Sequence, residues 1–542
     1  MPADSLLIAL PLIIPLFGVA LLLCLRRVPE RYCLGITVGL CLLLTAASAG
    51  LVAAVVQDGV LVLRSGAWPA PFGIALVADR FSAAMVLVTA VIGLAGAIYA
   101  IGHGTAKFRG FFTPLYMALL LGVNGSFLTG DLFNLYVWFE VMLMASFVLV
   151  ALPGGRPQLE AAVKYLVLNF IASAFFLVGL GVTYGIAGTL NMADLAQKFA
   201  TLEDPGMVLT SATLFLIAFG IKAGIFPFYF WLPSSYHVTP TPIAAVFAGL
   251  LTKVGVYALI RVSTVVYTGQ QDFIQSILLP LGILTMITGV FGAASQFLIP
   301  RILSFHIISQ IGYMIIGLAF FTEAAIAATV FYIIHHILVK SNLFLVGGMV
   351  GRQLGTQQLK RTGGLYKTAP IMAALFLIPA MSLGGIPPLS GFFAKFALVQ
   401  EGILLGHWIA VAAALAVGLM TLYSMIKIWN EAFWKAPPVE RSAPPSRIPV
   451  TMWIPVIGLA ACTITFGLFP GVFFEFAQDA AAEIMNPRAY IEAVLLPAEL
   501  LDPGEAAAPA AAEAARAIEA AEGIGADAPA PAESAPDQPS LP

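Results

Sequence analysis

Apolar runs of about 20 residues, separated by short stretches of Gly, Pro and charge, recur along the chain as far as residue 473. Each run is long enough to cross about 30 Å of hydrocarbon as an α-helix. The helix is also the form that satisfies every backbone N–H and C=O within one segment when no water is present. The pattern predicts fourteen spans, at 4–25, 33–56, 82–102, 110–129, 132–152, 163–188, 208–230, 240–263, 274–294, 300–321, 324–349, 370–404, 407–434 and 450–473. The first run has Arg26, Arg27 and Arg31 after its apolar stretch and no basic residue before it, the reverse of a secretory signal peptide. It is expected to be retained as a span.

Composition agrees with this pattern. Of 542 residues, 60% are hydrophobic and 10% charged, against about 25% charged in soluble proteins, so a water-soluble globule is excluded. Fourteen Lys and Arg fall in loops that follow odd-numbered spans, against Arg64, Arg80, Lys198 and Arg261 in the others. The positive-inside rule then places the odd-to-even loops in the cytoplasm and both termini outside. The four cysteines form no Cys-x-x-Cys pair and have no His at ligand spacing, so neither a metal nor a cofactor is expected. Residues 476–542 are acidic and rich in Ala and Pro, and read as a disordered tail with a helix possible near 510–522.

Two basic residues lie in the tail, and the remaining six are all lysines inside spans: Lys164, Lys222, Lys253, Lys340, Lys395 and Lys427. Lys164 and Lys427 lie near span ends, where they either snorkel to the headgroups or take an accessory part in function. The other four sit deep, where a lipid-facing charge costs at least about 2.5 kcal/mol, and are expected to be functional. Glu140, in the fifth span, is the one deep carboxylate. Unpaired in hydrocarbon it must neutralise or find a cation, and one of the lysines is the expected partner.

Two spans carry helix-breaking chemistry in mid-run: Lys222-Ala-Gly-Ile-Phe-Pro227 and Gly384-Gly385-Ile386-Pro387-Pro388-Leu389-Ser390-Gly391. Proline removes a donor and clashes with the preceding turn, so both helices are expected to be interrupted there. The shared Gly-Ile-x-Pro lies fourth in each of two five-span groups, 110–263 and 274–434. Five spans per unit make the second copy inverted, with the working site at the breaks. The expected organisation is an all-α polytopic membrane protein: 1–109 with three spans, the two inverted repeats, a final span at 450–473 and the tail.

Glu140, Lys222 before a broken seventh helix, Lys253 in the eighth, and Lys395 after Gly-Ile-Pro-Pro-Leu-Ser-Gly-Phe-Phe-Ala resemble the antiporter-like, proton-translocating subunits of respiratory complex I and of Mrp-type multisubunit cation/proton antiporters. The resemblance covers roughly residues 80–435. Phe72-Gly-Ile-Ala-Leu-Val-Ala-Asp-Arg-Phe-Ser82, and a lysine at 395 where some complex I subunits carry glutamate, are most similar to the D-type subunits of Mrp antiporters. His336-Ile-Leu-Val-Lys340 resembles the His-x-x-x-Lys of the lysine-bearing members. Many complex I relatives have histidine where Gln310 stands; here the histidine is His306, one turn earlier. The resemblance implies a bacterial-type cytoplasmic membrane, partner subunits in a hetero-oligomer, and protons and Na+ as cargo. The alternative is a proton-pumping subunit of a complex I-type or hydrogenase-type redox complex.

The residue types suit proton transfer independently of family. Lysine is the cation that burial can neutralise, whereas arginine stays charged, and no arginine lies deep in a span. His336 and Lys340, at i and i+4, share a face. His336 is either a proton carrier or a hydrogen-bonded core histidine, and the second reading is favoured for His335. Glu140 and Lys222 are expected to form an ion pair, from which the proton moves through Lys253 and the His336/Lys340 region to Lys395. No phosphate loop, zinc-protease motif or cluster ligand set points to an enzyme, and nucleic acid is not an expected partner.

Overall fold

The computed structural model describes residues 3–105, 110–202, 205–437 and 447–495. In chain order its elements are α1 (Ala3–Cys24), α2 (Glu30–Asp58), a hairpin of β1 (Leu61–Arg64) and β2 (Ala75–Ala78), α3 (Arg80–His103), α4 (Phe112–Leu128), α5 (Leu132–Ala151), α6 (Arg156–Ala187), α7 (Met192–Thr201) and α8 (Pro205–Ala223). They continue through α9 (Trp231–Ser235), α10 (Thr241–Arg261), α11 (Gln271–Ser295), α12 (Ile299–Phe320), α13 (Glu323–Leu354), α14 (Leu365–Thr368), α15 (Pro370–Gly384) and α16 (Ser390–Leu404). The last are α17 (Trp408–Trp429), α18 (Val450–Leu468), α19 (Pro470–Met485) and α20 (Arg488–Leu495). Among the described residues twelve helices are long and apolar enough to cross a membrane, and α4 and α15 are shorter apolar helices. The chain is an all-α polytopic membrane protein. Lys107, Arg109, Arg441 and the 510–522 stretch lie outside the described residues.

The helices form a centre and a rim. The apolar windows of α10, α12 and α13 are 94–100% buried, whereas those of α1, α2, α6, α11, α17 and α18 are 33–39% buried and face outward. Polar side chains on the helices are largely satisfied by the preceding turn, as where Thr89 and Thr264 donate to the carbonyls of Met85 and Ile260 at 2.8 Å. The central helices are therefore where an ionisable side chain is hidden from lipid on every side.

One end of the bundle is closed by structure that a search for 20-residue runs passes over. The β1–β2 hairpin pairs Leu61 with Ala78 and Arg64 with Ala75. Single bridges join Leu76 to Thr129 and Asp131 to Asn191, and Asn191 caps α7 by accepting from the backbone N–H of Ala193 and Asp194. The expected tail beginning at 476 is corrected here: residues 476–485 complete α19, α20 follows, and both pack on the bundle. Their apolar residues are too few for a span, but Ala477, Ala480, Ala481, Ile484, Tyr490 and Val494 are buried, and charge completes the contact. Arg80 pairs with Glu483 and lies 3.8 Å from Asp479. Arg64 donates to the carbonyls of Ala493 and Val494 at 3.1 and 3.2 Å. Asp79 caps α3 in a capping box with Ser82 and pairs with buried Arg261 at 2.5 Å, and the Tyr490 ring lies 5.3 Å from that guanidinium. Burial pushes the Asp79 carboxyl up, but Arg261 and Ser82 outweigh it and hold it below the usual carboxylate range.

Both broken helices stop in the same way. At the first, Gly224 has φ +79°, and its N–H and that of Ile225 bond back to the carbonyl of Gly220. At the second, Gly385 has φ +87°, and its N–H and that of Ile386 bond back to Met381. The left-handed conformation open to glycine ends each helix. Pro227, Pro387 and Pro388 come after the stop and prevent its continuation. The expectation that the prolines make the interruption is corrected: the glycines make it.

Candidate functional site

At the first break, Lys222 occupies the last turn of α8 and is 4% exposed. Glu140 comes from α5 and Ser173 from α6. Ser173 Oγ donates to Glu140 Oε1, and Lys222 Nζ donates to Ser173 Oγ at 3.2 Å. The expected direct ion pair is thus corrected: the serine hydroxyl stands between the carboxylate and the ammonium. The Phe139 ring lies 5.5 Å from Lys222 Nζ, and Phe139, Phe176 and Phe219 pack on one another at 4.9–6.0 Å beside the buried lysine. Trp231, beyond the break, donates Nε1 to the carbonyl of Ile221 at 2.9 Å and fixes the end of α8.

Next along the row, Gly255 brings α10 against the end of α8 so closely that a Cβ there would meet Ala223 N at 2.5 Å. Lys253, fully buried on α10, donates to the carbonyl of Ala248 at 2.6 Å. Lys340, fully buried on α13, reaches the carbonyl of Leu303 on α12 at 3.5 Å. Ser341 donates to Ala245 at 3.0 Å and ties α13 to α10. His336 and His306 are also fully buried, and among the described residues neither ring nitrogen of either has a hydrogen-bond partner. A cavity of about 20 Å³, room for a water molecule, is lined by His237, Ala244, Leu303 and Phe344. Leu303 thus belongs both to this cavity and, through its carbonyl, to the contact that receives Lys340.

At the second break, Lys395 on α16 donates to the carbonyl of Leu383, in the last turn of α15, at 2.8 Å. Its Nζ lies 4.9 Å from the centre of the Tyr313 ring. It is held by a helix C-terminus and a π-face, both favourable to a cation, and among the described residues by no carboxylate. His335 Nδ1 lies 2.8 Å from Ser390 Oγ, which lies 3.1 Å from Ser382 Oγ, so His335 joins α13 to this break. Tyr332, packed between the two histidines and Tyr313, donates to Gln310 Oε1, and Gln310 Nε2 reaches Thr421 Oγ1 at 3.4 Å. Gln310 thus bridges α13 to α17.

Two accessory candidates lie apart. Lys164 points outward with its side chain 55% exposed and pairs with Glu160 at 2.6 Å, one turn earlier on α6. Lys427 donates to the carbonyls of Ala294 and Gln296 at 2.7 and 2.8 Å and caps the end of α11. Sequence reasoning passed over Ser173, Tyr313, Tyr332 and the His335–Ser390 contact. Serine and tyrosine within apolar runs are common, and only the facing charges distinguish these. Among the described residues no three His, Cys, Asp or Glu side chains converge as a metal's ligands would.

The family described as NADH:quinone oxidoreductase/Mrp antiporter, transmembrane, matches residues 129–421, which include both breaks and every deep lysine. The chain is 48% identical over 442 residues to the D-type Na+/H+ antiporter subunit of Alkalihalophilus pseudofirmus, covering 81% of this chain and 90% of the relative. It is 40% identical over 446 residues to the D-type Na+/H+ antiporter subunit of Bacillus subtilis, covering 82% and 90%. A chain of the Mrp complex from a Dietzia species superposes with a TM-score of 0.86 at 33% identity, over 91% of this chain and all of that one. The chain belongs to the NADH:quinone oxidoreductase/Mrp antiporter family of transmembrane proteins.

Proposed function

We propose that the chain is the D-type, proton-translocating subunit of a multisubunit Na+/H+ antiporter, and that protons move along the row Glu140, Lys222, Lys253, His336/Lys340 and Lys395. The observation that carries the path is the row itself: four buried lysines, Lys253 and Lys340 on the most enclosed helices and Lys222 and Lys395 at two matched helix breaks, with Glu140 as the counter-charge at one end. The cargo and the partner subunits rest on the relatives, which are named Na+/H+ antiporter subunits, and on the structural neighbour, which is part of an Mrp complex.

The two breaks share their hydrogen-bonding pattern as well as Gly-Ile-x-Pro, which supports reading 110–263 and 274–434 as inverted repeats. At the closed end Arg80, Lys198 and Arg261 pair with carboxylates. The excess of Lys and Arg in the loops of the opposite end, fourteen against four, supports placing that end in the bacterial cytoplasm and both termini outside. A lysine is the right carrier because its charged form can be held by a nearby acid or carbonyl and released when that contact opens.

The test uses vesicles containing the assembled complex. Glu140→Ala and Lys222→Ala are each expected to abolish coupled cation/proton exchange while assembly is retained. Exchange at the wild-type rate in either variant overturns the path. Co-purification of iron–sulfur or flavin subunits, in place of small antiporter subunits, would favour the redox-complex alternative.

A further inference from the structure

Ser173 is 5% exposed and its hydroxyl is shared by three neighbours. It donates to Glu140 Oε1, lies 3.2 Å from Lys222 Nζ, and lies 3.1 Å from the carbonyl of Asn169 one turn back. Many hydroxyls in this chain bond only to the preceding turn, as Thr37 does to Cys33; Ser173 does that and also stands between a carboxylate and an ammonium from two other helices. A carboxylate only accepts and an ammonium only donates, whereas a hydroxyl does both at one atom. The order Nζ–H···Oγ–H···Oε1 is therefore a complete, oriented proton wire.

We propose that Ser173 passes a proton between Lys222 and Glu140, so that Glu140 is itself a proton stop in the path and not a fixed counter-charge. This inference rests on the proton-path reading and deepens it at one point. In the step, a proton leaves Lys222 Nζ for Ser173 Oγ as the serine's own proton leaves Oγ for Glu140 Oε1. A neutral amine, a neutral carboxyl and an unchanged serine result. Rotation about Cβ–Oγ resets the wire, and with the hydroxyl turned to the carbonyl of Asn169 the wire is cut. The same rotor connects and disconnects the two charges, and no backbone movement is needed.

The experiment compares wild type, Ser173→Ala and Ser173→Thr in vesicles holding the complete complex, with exchange measured in H2O and D2O, and adds infrared difference spectra of the purified complexes. Ser173→Ala is expected to lose exchange at least about tenfold and to lose the protonated-carboxyl band that Glu140→Gln removes from wild type. Ser173→Thr, which keeps the hydroxyl, is expected to restore both and the wild-type isotope effect. Wild-type exchange in Ser173→Ala overturns the proposal. So does a wild-type spectrum with no protonated-carboxyl band that depends on Glu140, a result that needs no variant at position 173 to assemble. Undiminished exchange in Glu140→Gln would instead sink the path itself, so the two failures are distinguishable.

Discussion

The closed end and the membrane row of this molecule handle charge in opposite ways. At the closed end, Arg261 meets Asp79 at 2.5 Å and Arg80 meets Glu483. Each of these guanidinium groups has a carboxylate of its own. In the membrane row, among the described residues, Lys253 and Lys340 have only backbone carbonyls, Lys395 has a helix end and a tyrosine ring, and Lys222 reaches its carboxylate through a hydroxyl. Arginine keeps its charge under all accessible conditions and offers a rigid fork that suits carboxylates. Lysine gives up its proton more readily when desolvated. The residue type at each place thus matches the permanence of the charge: fixed where helices are fastened together, changeable where protons are proposed to travel.

The contrast can be broken by exchanging what each region lacks. Lys253→Met is expected to lower exchange about 100-fold or more while the complex melts no earlier than wild type, because an apolar side chain replaces a buried ion without leaving a partner unpaired. A fall in melting temperature with exchange retained would reverse the assignment. Arg261→Ala is expected to do the opposite, destabilising by about 3–5 kcal/mol because Asp79 is left buried and unpaired, read as a lower unfolding midpoint of the purified complex. Arg261→Lys keeps the charge but not the fork, and a loss of about 1–2 kcal/mol is expected in the same measurement.

Acid separates the regions more gently. The folded-state pKa of Asp79 is depressed, so its contribution to stability is fully present above the ordinary carboxylate range near 4. It is lost progressively as pH falls from there through that lower, folded-state value. Asp79→Asn should remove this acid limb from the pH dependence of unfolding, and an unchanged limb would contradict the pairing. The smallest effect belongs to Lys164. Lys164→Ala is expected to leave exchange within about twofold of wild type, as an exposed pair on a helix surface contributes little; a large loss would place Lys164 in the row.

The sequence made the spans and the deep charges legible because hydrocarbon admits few alternatives: a 20-residue apolar run is a helix, and a lysine within it needs a reason. Glu140, Lys222, Lys253, Lys340 and Lys395 stand out by scarcity. The Ser173 bridge could not stand out in the same way, because one serine among many carries no mark until the fold places it between opposite charges. The glycine stops were partly legible, since glycine and proline occur together at both breaks, but their division of labour depends on φ at Gly224 and Gly385. The closed end was missed for a different reason. α7 and α20 are 10 and 8 residues long, too short to register as spans, and the acids of 479–483 acquire meaning only beside Arg80.

The contact between Arg80 and Glu483 joins residues 403 positions apart. At roughly 5–20 residues per second, Glu483 leaves the ribosome about 20–80 s after Arg80. For that interval Arg80 is without its carboxylate and Arg261 without Tyr490, so the closed end is assembled last although most of it is made first. A chain truncated before residue 479 would carry every proposed proton-transfer residue and still lack the clasp. Closure of this end therefore waits until residues 479–494 have been made.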